Sequence, residues 1–189
     1  MGAGLKFSSF APRCRQVVNN EASFLTALFP LEKPKVIPYK YKEIFMNAVA
    51  DALTNALSDT YLIYMKTHAY HWNVEGPHFT QLHNMFEEQY TDMWTAVDDI
   101  AERVRALREY APSSYGTMAQ RSQIKEESGV PDARQMVSNL VEDNEALVQT
   151  LKKAVKAAEN VDDDATADMM IARVQIHEKY IWMMRSFLK

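Results

Sequence analysis

The sequence predicts an all-α protein, an up-down four-helix bundle, on three observations. Only five of its 189 residues are glycine. Long stretches repeat apolar residues at spacings of three and four, the 3.6-residue period of a helix with one buried side. Proline and glycine fall in the gaps between those stretches, where they end helices. A chain of this length makes one domain with a sizeable core.

The first helix is expected from about Lys42 to Trp72, with Val49, Leu53, Leu57, Tyr61 and Tyr64 along its core side. Gly76-Pro77 breaks the chain after it. A second helix follows from about Phe79 to Leu107, its stripe formed by Leu82, Phe86, Met93, Val97, Ile100, Val104 and Leu107. Next comes a connection punctuated by Pro112, Gly116, Gly129 and Pro131, with room for a short helix over Tyr115 to Ile124. The third long helix starts after Pro131, with Asp132 where a carboxylate suits the positive end of the helix dipole. Met136, Leu140, Leu147, Leu151, Val155 and Ala158 form its core side. Asp162, Asp163 and Asp164 mark the following turn. They read as helix capping and loop solvation, or as an acidic pore mouth that attracts cations. The fourth helix runs from about Ala165 to Leu188, with Met170, Val174, His177, Ile181, Met184 and Leu188 on one face; His177 there reads as a core histidine.

The second helix also carries chemistry. His83, Glu87, Asp98 and Glu102 form two i,i+4 pairs within a sector of roughly 100°, centred about 125° from the apolar stripe. They therefore point away from their own bundle. Glu87 and Asp98 are eleven residues apart, about 16 Å along a helix. A metal ion needs its ligands within about 2–2.6 Å of itself, so the two pairs cannot share one within a chain. Two copies packed antiparallel about a two-fold axis would bring the His83/Glu87 end of one to the Asp98/Glu102 end of the other, twice. Trp94 lies in the same sector, exposed on a monomer and covered in such a dimer. Imidazole plus carboxylate suits iron, and also manganese or zinc. His71 and Trp72 sit just before the break. His68, one turn earlier, reads as a hydrogen-bonded interface imidazole. Glu75 and His78 have the E-x-x-H spacing of ferritin-type bundles, but Gly76-Pro77 between them removes the helical alignment.

The pattern H-W-N-V-x-G-x-x-F at His71, then L-H-x-x-F-E at Leu82, then D-x-x-A-E-R at Asp98, resembles that of the Dps proteins. These are mini-ferritins, also called DNA-binding proteins from starved cells, and the likeness runs from about Ile44 to the C-terminus. The resemblance implies a ferritin-like bundle assembled into a hollow, dodecameric shell, with ferroxidase centres between subunits. It assigns His71 and His83 as metal ligands from one subunit and Asp98 and Glu102 as ligands from its two-fold mate. It gives Glu87 an assisting carboxylate role, direct or through water, and Trp72 the role of an aromatic electron donor beside the site. Iron is then the metal, with Fe(II) and hydrogen peroxide as reactants, in a protein of the cytoplasm or nucleoid.

The remaining composition bounds that reading. Net charge is −4, so the body is not a basic nucleic-acid binder. One cysteine, Cys14, excludes an internal disulfide framework and fits a reducing compartment. No apolar run is long enough to span a membrane, and no continuous apolar secretory segment opens the chain. Residues 1–38 form an N-terminal arm and 39–189 the bundle. The arm has Lys6, Arg13 and Arg15 before its first acid, Glu21, and Pro30, Pro34 and Pro38 beyond. It offers either weak phosphate contacts multiplied by oligomeric avidity, or aromatic docking on a neighbour through Phe7, Phe10 and Phe24; its acid-free start also has a transit-peptide character. DNA coating is thus the alternative function to iron oxidation and storage.

Overall fold

A computed structural model describes residues 39–189, with side chains from Met46 onward. The N-terminal arm of residues 1–38, with Cys14 and its three early cations, lies outside the described residues. Among those described there are five helices and no strand: α1 (Tyr39–Asn73), α2 (Phe79–Ala106), α3 (Tyr115–Arg121), α4 (Ala133–Glu159) and α5 (Asp164–Leu188). None is long and apolar enough to cross a membrane.

The helix ends follow from local chemistry. Gly76 adopts φ +104°, a left-handed conformation that side chains with a Cβ resist, and it turns the chain from α1 into α2. The Asp132 carboxylate accepts from the Gln135 N–H at 2.8 Å, and Asp163 accepts from the Thr166 N–H at 3.2 Å. Each satisfies a donor that the first turn of a helix leaves unpaired. Of the acidic run at 162–164, Asp163 is therefore a cap, and it also accepts from Arg103 at 2.6 Å. Asp162 and Asp164 remain exposed.

Cross-helix pairs reveal the topology. On α1 and α4, Asp59 meets Thr150, Lys66 meets Asp143, and Tyr70 meets Asn139. Numbers rise on one helix as they fall on the other, so the two are antiparallel. The same holds for α1 and α2, where Tyr64 faces Tyr90 and His71 faces His83. It holds again for α2 and α5, through Asp92–Arg173 and Arg103–Asp163. Hence α2 and α4 run the same way, and the connection between them must travel the length of the bundle, the one long crossover of ferritin-like folds. That connection carries α3 and is pinned by Asp59, which accepts from Ser122 Oγ at 2.6 Å and the Gln123 N–H at 2.8 Å.

The core consists of two apolar clusters. One contains Leu53, Leu57, Ile63, Met93, Ile100 and Leu151; the other contains Val74, Leu82, Phe86, Met136, Leu140 and Met184. Each large side chain so buried contributes about 1.5–3 kcal/mol. Between the clusters lies one polar level, to which all four long helices contribute: Thr67, Gln89, Asn144 and His177, all buried. Tyr61 and Tyr64, expected on the core side of the first helix, are only half-buried, because Tyr64 turns toward Tyr90 and Trp94 on α2.

Candidate metal centre

The Gly76 turn folds α2 back along α1 and brings His71 against His83. Their rings stack with centroids 3.8 Å apart and planes 20° from parallel. Each Nδ1–H donates to the other residue's backbone carbonyl: His71 Nδ1 to His83 O at 2.9 Å, and His83 Nδ1 to His71 O at 2.9 Å. A carbonyl oxygen can only accept, so both imidazoles carry a proton on Nδ1, and in the neutral ring the lone pair is then on Nε2. This hydrogen bond from the second nitrogen is what orients a metal-binding histidine and sets its tautomer.

Glu87, one turn beyond His83, completes a group. One donor atom from each of His71, His83 and Glu87 lies within 4.8 Å of the others. Ligands bound at about 2.2 Å stand up to about 4.4 Å apart across a metal, so small side-chain rotations suffice. Two neutral imidazoles and a carboxylate fit a divalent first-row metal. His71 is only 9% exposed, whereas Glu87 is exposed, so the group opens to the outside on its carboxylate side.

Asp98 and Glu102 are not brought to this group. Both are exposed, about three to four turns beyond Glu87 on the same helix. Large apolar side chains are exposed along the same two helices: Trp94, between Glu87 and Asp98, is 59% exposed, and Trp72, beside His71, is 62% exposed, with Phe79 and Met65 also exposed. Such large exposed apolar side chains on one side of two helices mark a surface that another body covers.

Behind this surface a row of rings runs along the α1–α2 seam. His68 stacks on Tyr90 at 4.0 Å and lies 4.2 Å from the Trp72 ring. Burial, and then the neighbouring His71, hold its pKa below the ordinary histidine value. Sequence reasoning set His68 aside as an interface imidazole and passed over Tyr90; the available signal was that both fall on the seam flanking His71. His78 is the residue preceding α2 and meets Phe187 edge-on at 5.4 Å, away from the metal group.

The buried His177 is bound differently. Its Nδ1 donates to Asn144 Oδ1 at 2.7 Å, and its Nε2 accepts from Arg173 at 2.9 Å. Arg173 in turn donates twice to Asp92, at 3.1 and 2.8 Å. Burial, then the Arg173 charge, drive the His177 pKa down to about 3. The side-chain amide of Gln89, on the same level, has no hydrogen-bond partner among the described residues.

Comparison with known proteins shows what the chain resembles. The family model described as a ferritin-like domain matches residues 50–189. An uncharacterized low temperature-induced protein of Nostoc is 41% identical over 75% of this chain and 80% of its own. The DNA protection during starvation protein of Brevibacillus brevis is 38% identical over 78% of this chain and 99% of its own. Among solved structures, a Dps protein from Vibrio cholerae has a TM-score of 0.75 at 32% identity, over 78% of this chain and 92% of its own. It is described as a member of a broad superfamily of ferritin-like diiron-carboxylate proteins.

Proposed function

From the premise that this chain belongs to the Dps family of ferritin-like proteins, we propose that it oxidises Fe(II) with hydrogen peroxide at centres shared by two subunits. The ferric product is stored inside a hollow, dodecameric shell in the cytoplasm. The observation that carries this reading is the pairing of His71 and His83, whose Nδ1–H groups are both spent on backbone carbonyls and whose Nε2 lone pairs are both free.

In this mechanism His71, His83 and Glu87 of one subunit take up ferrous iron, and Asp98 and Glu102 of a second copy close the site. Carboxylates are hard, anionic ligands and favour Fe(III) over Fe(II), so the closed site makes the metal a better reductant. Peroxide accepts two electrons and two protons to give two waters. Two ferrous ions supply one electron each, and no hydroxyl radical escapes. Trp72, beside His68, stands ready as an electron donor near the site.

The test is stopped-flow absorbance after anaerobic mixing with Fe(II) and peroxide. Asp98→Ala plus Glu102→Ala is expected to slow oxidation at least roughly tenfold; a wild-type rate would overturn the assignment. Co-assembly adds a sharper arm. Subunits with that acid pair removed, mixed with subunits carrying His71→Ala and His83→Ala, should regain activity, because each mixed dimer contains one intact site.

DNA coating is the second reading, favoured by the name of the Brevibacillus brevis relative. It requires gel retardation that disappears on deletion of residues 1–38 and weakens steeply with salt. The net charge of −4 weighs against it.

A further inference from the structure

Three side chains inside the bundle hold polar atoms that the protein itself does not pair. Gln89 is 2% exposed, Thr67 0% and Arg173 8%. Neither end of the Gln89 amide meets a hydrogen-bond partner among the described residues, nor does the Thr67 hydroxyl, nor Arg173 Nε. These atoms share one region. The chain neighbours of Thr67 and Gln89, His68 and Tyr90, stack at 4.0 Å across the α1–α2 seam, so Thr67 and Gln89 stand at the same height on the core side of their helices. Arg173 reaches α2 at Asp92, three residues after Gln89. The other side chains of the level have partners: His177 is bonded to Asn144 and Arg173, and Asn144 Nδ2 donates to the Leu140 carbonyl.

Polar groups taken out of water without a partner are costly enough that nearly all of them in folded proteins have one. The chemistry of these atoms narrows what the partner is. A metal cation is opposed by the Arg173 guanidinium. An anion only accepts, so it would leave the carbonyl end of the Gln89 amide unserved, and it would face the Asp92 carboxylate. The amide offers one acceptor and one donating group, the hydroxyl offers both roles, and Arg173 Nε only donates. The occupant must therefore both donate and accept, and it must be small and neutral.

We propose that this level is a hydration site, in which a short chain of buried water runs from Thr67 Oγ1 along the Gln89 amide to Arg173 Nε. The carbonyl and amino ends of one amide point apart, so a single molecule cannot serve both. A water at each end, with Thr67 and Arg173 as further partners, has the several polar contacts that hold a buried water in place. The chain joins α1, α2 and α5 through a bound ligand where their side chains do not meet directly. Asp92, whose side chain is 33% exposed, marks the end nearest solvent. The site requires no iron and stands apart from the ferroxidase reading.

The test uses metal-free, full-length protein. In crystals at near-atomic resolution, density peaks should stand within hydrogen-bond distance of Gln89 Oε1, Gln89 Nε2 and Arg173 Nε. Gln89→Leu keeps most of the side-chain volume and removes both ends of the amide. The peaks beside residue 89 should vanish, while the Arg173–Asp92 and His177–Asn144 bonds remain. A wild-type Gln89 amide bonded directly to protein, or a void without density beside it, overturns the proposal.

A second arm works in solution. Oxygen-17 relaxation dispersion of the solvent detects water held inside long enough to tumble with the protein. Gln89→Leu combined with Thr67→Val should lower the amplitude of the slow dispersion. Trp182→Phe, at a site 66% exposed, should leave it unchanged and serves as the control. Equal amplitudes in the double variant and the wild type overturn the proposal. If the double variant does not fold, Thr67→Val alone is read: it removes one anchor and should lower the amplitude in part, and a wild-type value there overturns the chain.

Discussion

Two polar groups lie on opposite sides of α2, and both contain histidine. On the outer side, His71 and His83 spend only Nδ1 and keep Nε2 free. On the inner side, His177 spends both nitrogens, one on Asn144 and one on Arg173. The difference is in what surrounds the ring. Backbone carbonyls on the outer side occupy one nitrogen and add no charge. The inner ring is flanked by a guanidinium, which donates to the one free lone pair, on Nε2, and would repel a cation. Ferritin-type di-iron bundles put glutamates and Glu-x-x-His pairs on their inner faces; here that level holds Thr67, Gln89, Asn144 and His177. Imidazole becomes a metal ligand or a structural strut according to the bond made by its other nitrogen.

The comparison predicts that the inner group bears on stability and the outer group on metal binding. Asp92→Asn removes the charge partner of Arg173, whose side chain is nearly buried. The expected loss is about 3–5 kcal/mol, read as a lower urea midpoint at constant m-value. Binding of Zn(II), a redox-silent probe, to the outer group should be unchanged. A loss of less than about 1 kcal/mol would show that water replaces the pair without cost.

Acid should act on the same side. The His177 pKa is near 3 when folded, against an ordinary 6.5. Between these values the unfolded chain binds a proton that the folded chain refuses. The contribution is therefore complete above pH 6.5 and lost as pH falls toward 3, at about 1.4 kcal/mol per unit. Unfolding free energies from urea titrations at pH 6.5 and 4.5 should differ by about 2–3 kcal/mol from this group, and His177→Gln should flatten the slope.

The outer group should show the smallest effect. His83→Ala gives up one side-chain hydrogen bond at the surface, about 1 kcal/mol, and Glu102→Ala stays within about 0.5 kcal/mol. Both should nevertheless weaken Zn(II) binding in calorimetry. An outer substitution as costly as Asp92→Asn would erase the distinction between the two sides.

Much of this was legible in the residues. The Gly76-Pro77 break, the stripe from Leu82 to Val104, and Asp132 before the third long helix all lie in local patterns, and the helices appear within a few residues of their expected bounds. The meeting of His71 and His83 follows from a short turn between two antiparallel helices. The inner network was not legible. Asp92 and Arg173 are 81 positions apart, and nothing near either names the other. Gln89 did leave a trace, as a polar residue three after Phe86 and four before Met93 on the apolar stripe.

The sequence by itself determined where helices begin and end, which side of each is apolar, and which residues offer nitrogen or oxygen to a metal. Backbone hydrogen bonds and side-chain spacing act over four residues, so their record is local. Only the tertiary structure decided that α2 and α4 run in the same direction, that Arg173 closes off His177, and that two backbone carbonyls hold His71 and His83 by Nδ1. Those choices depend on which groups meet across helices, and packing of the whole bundle sets that.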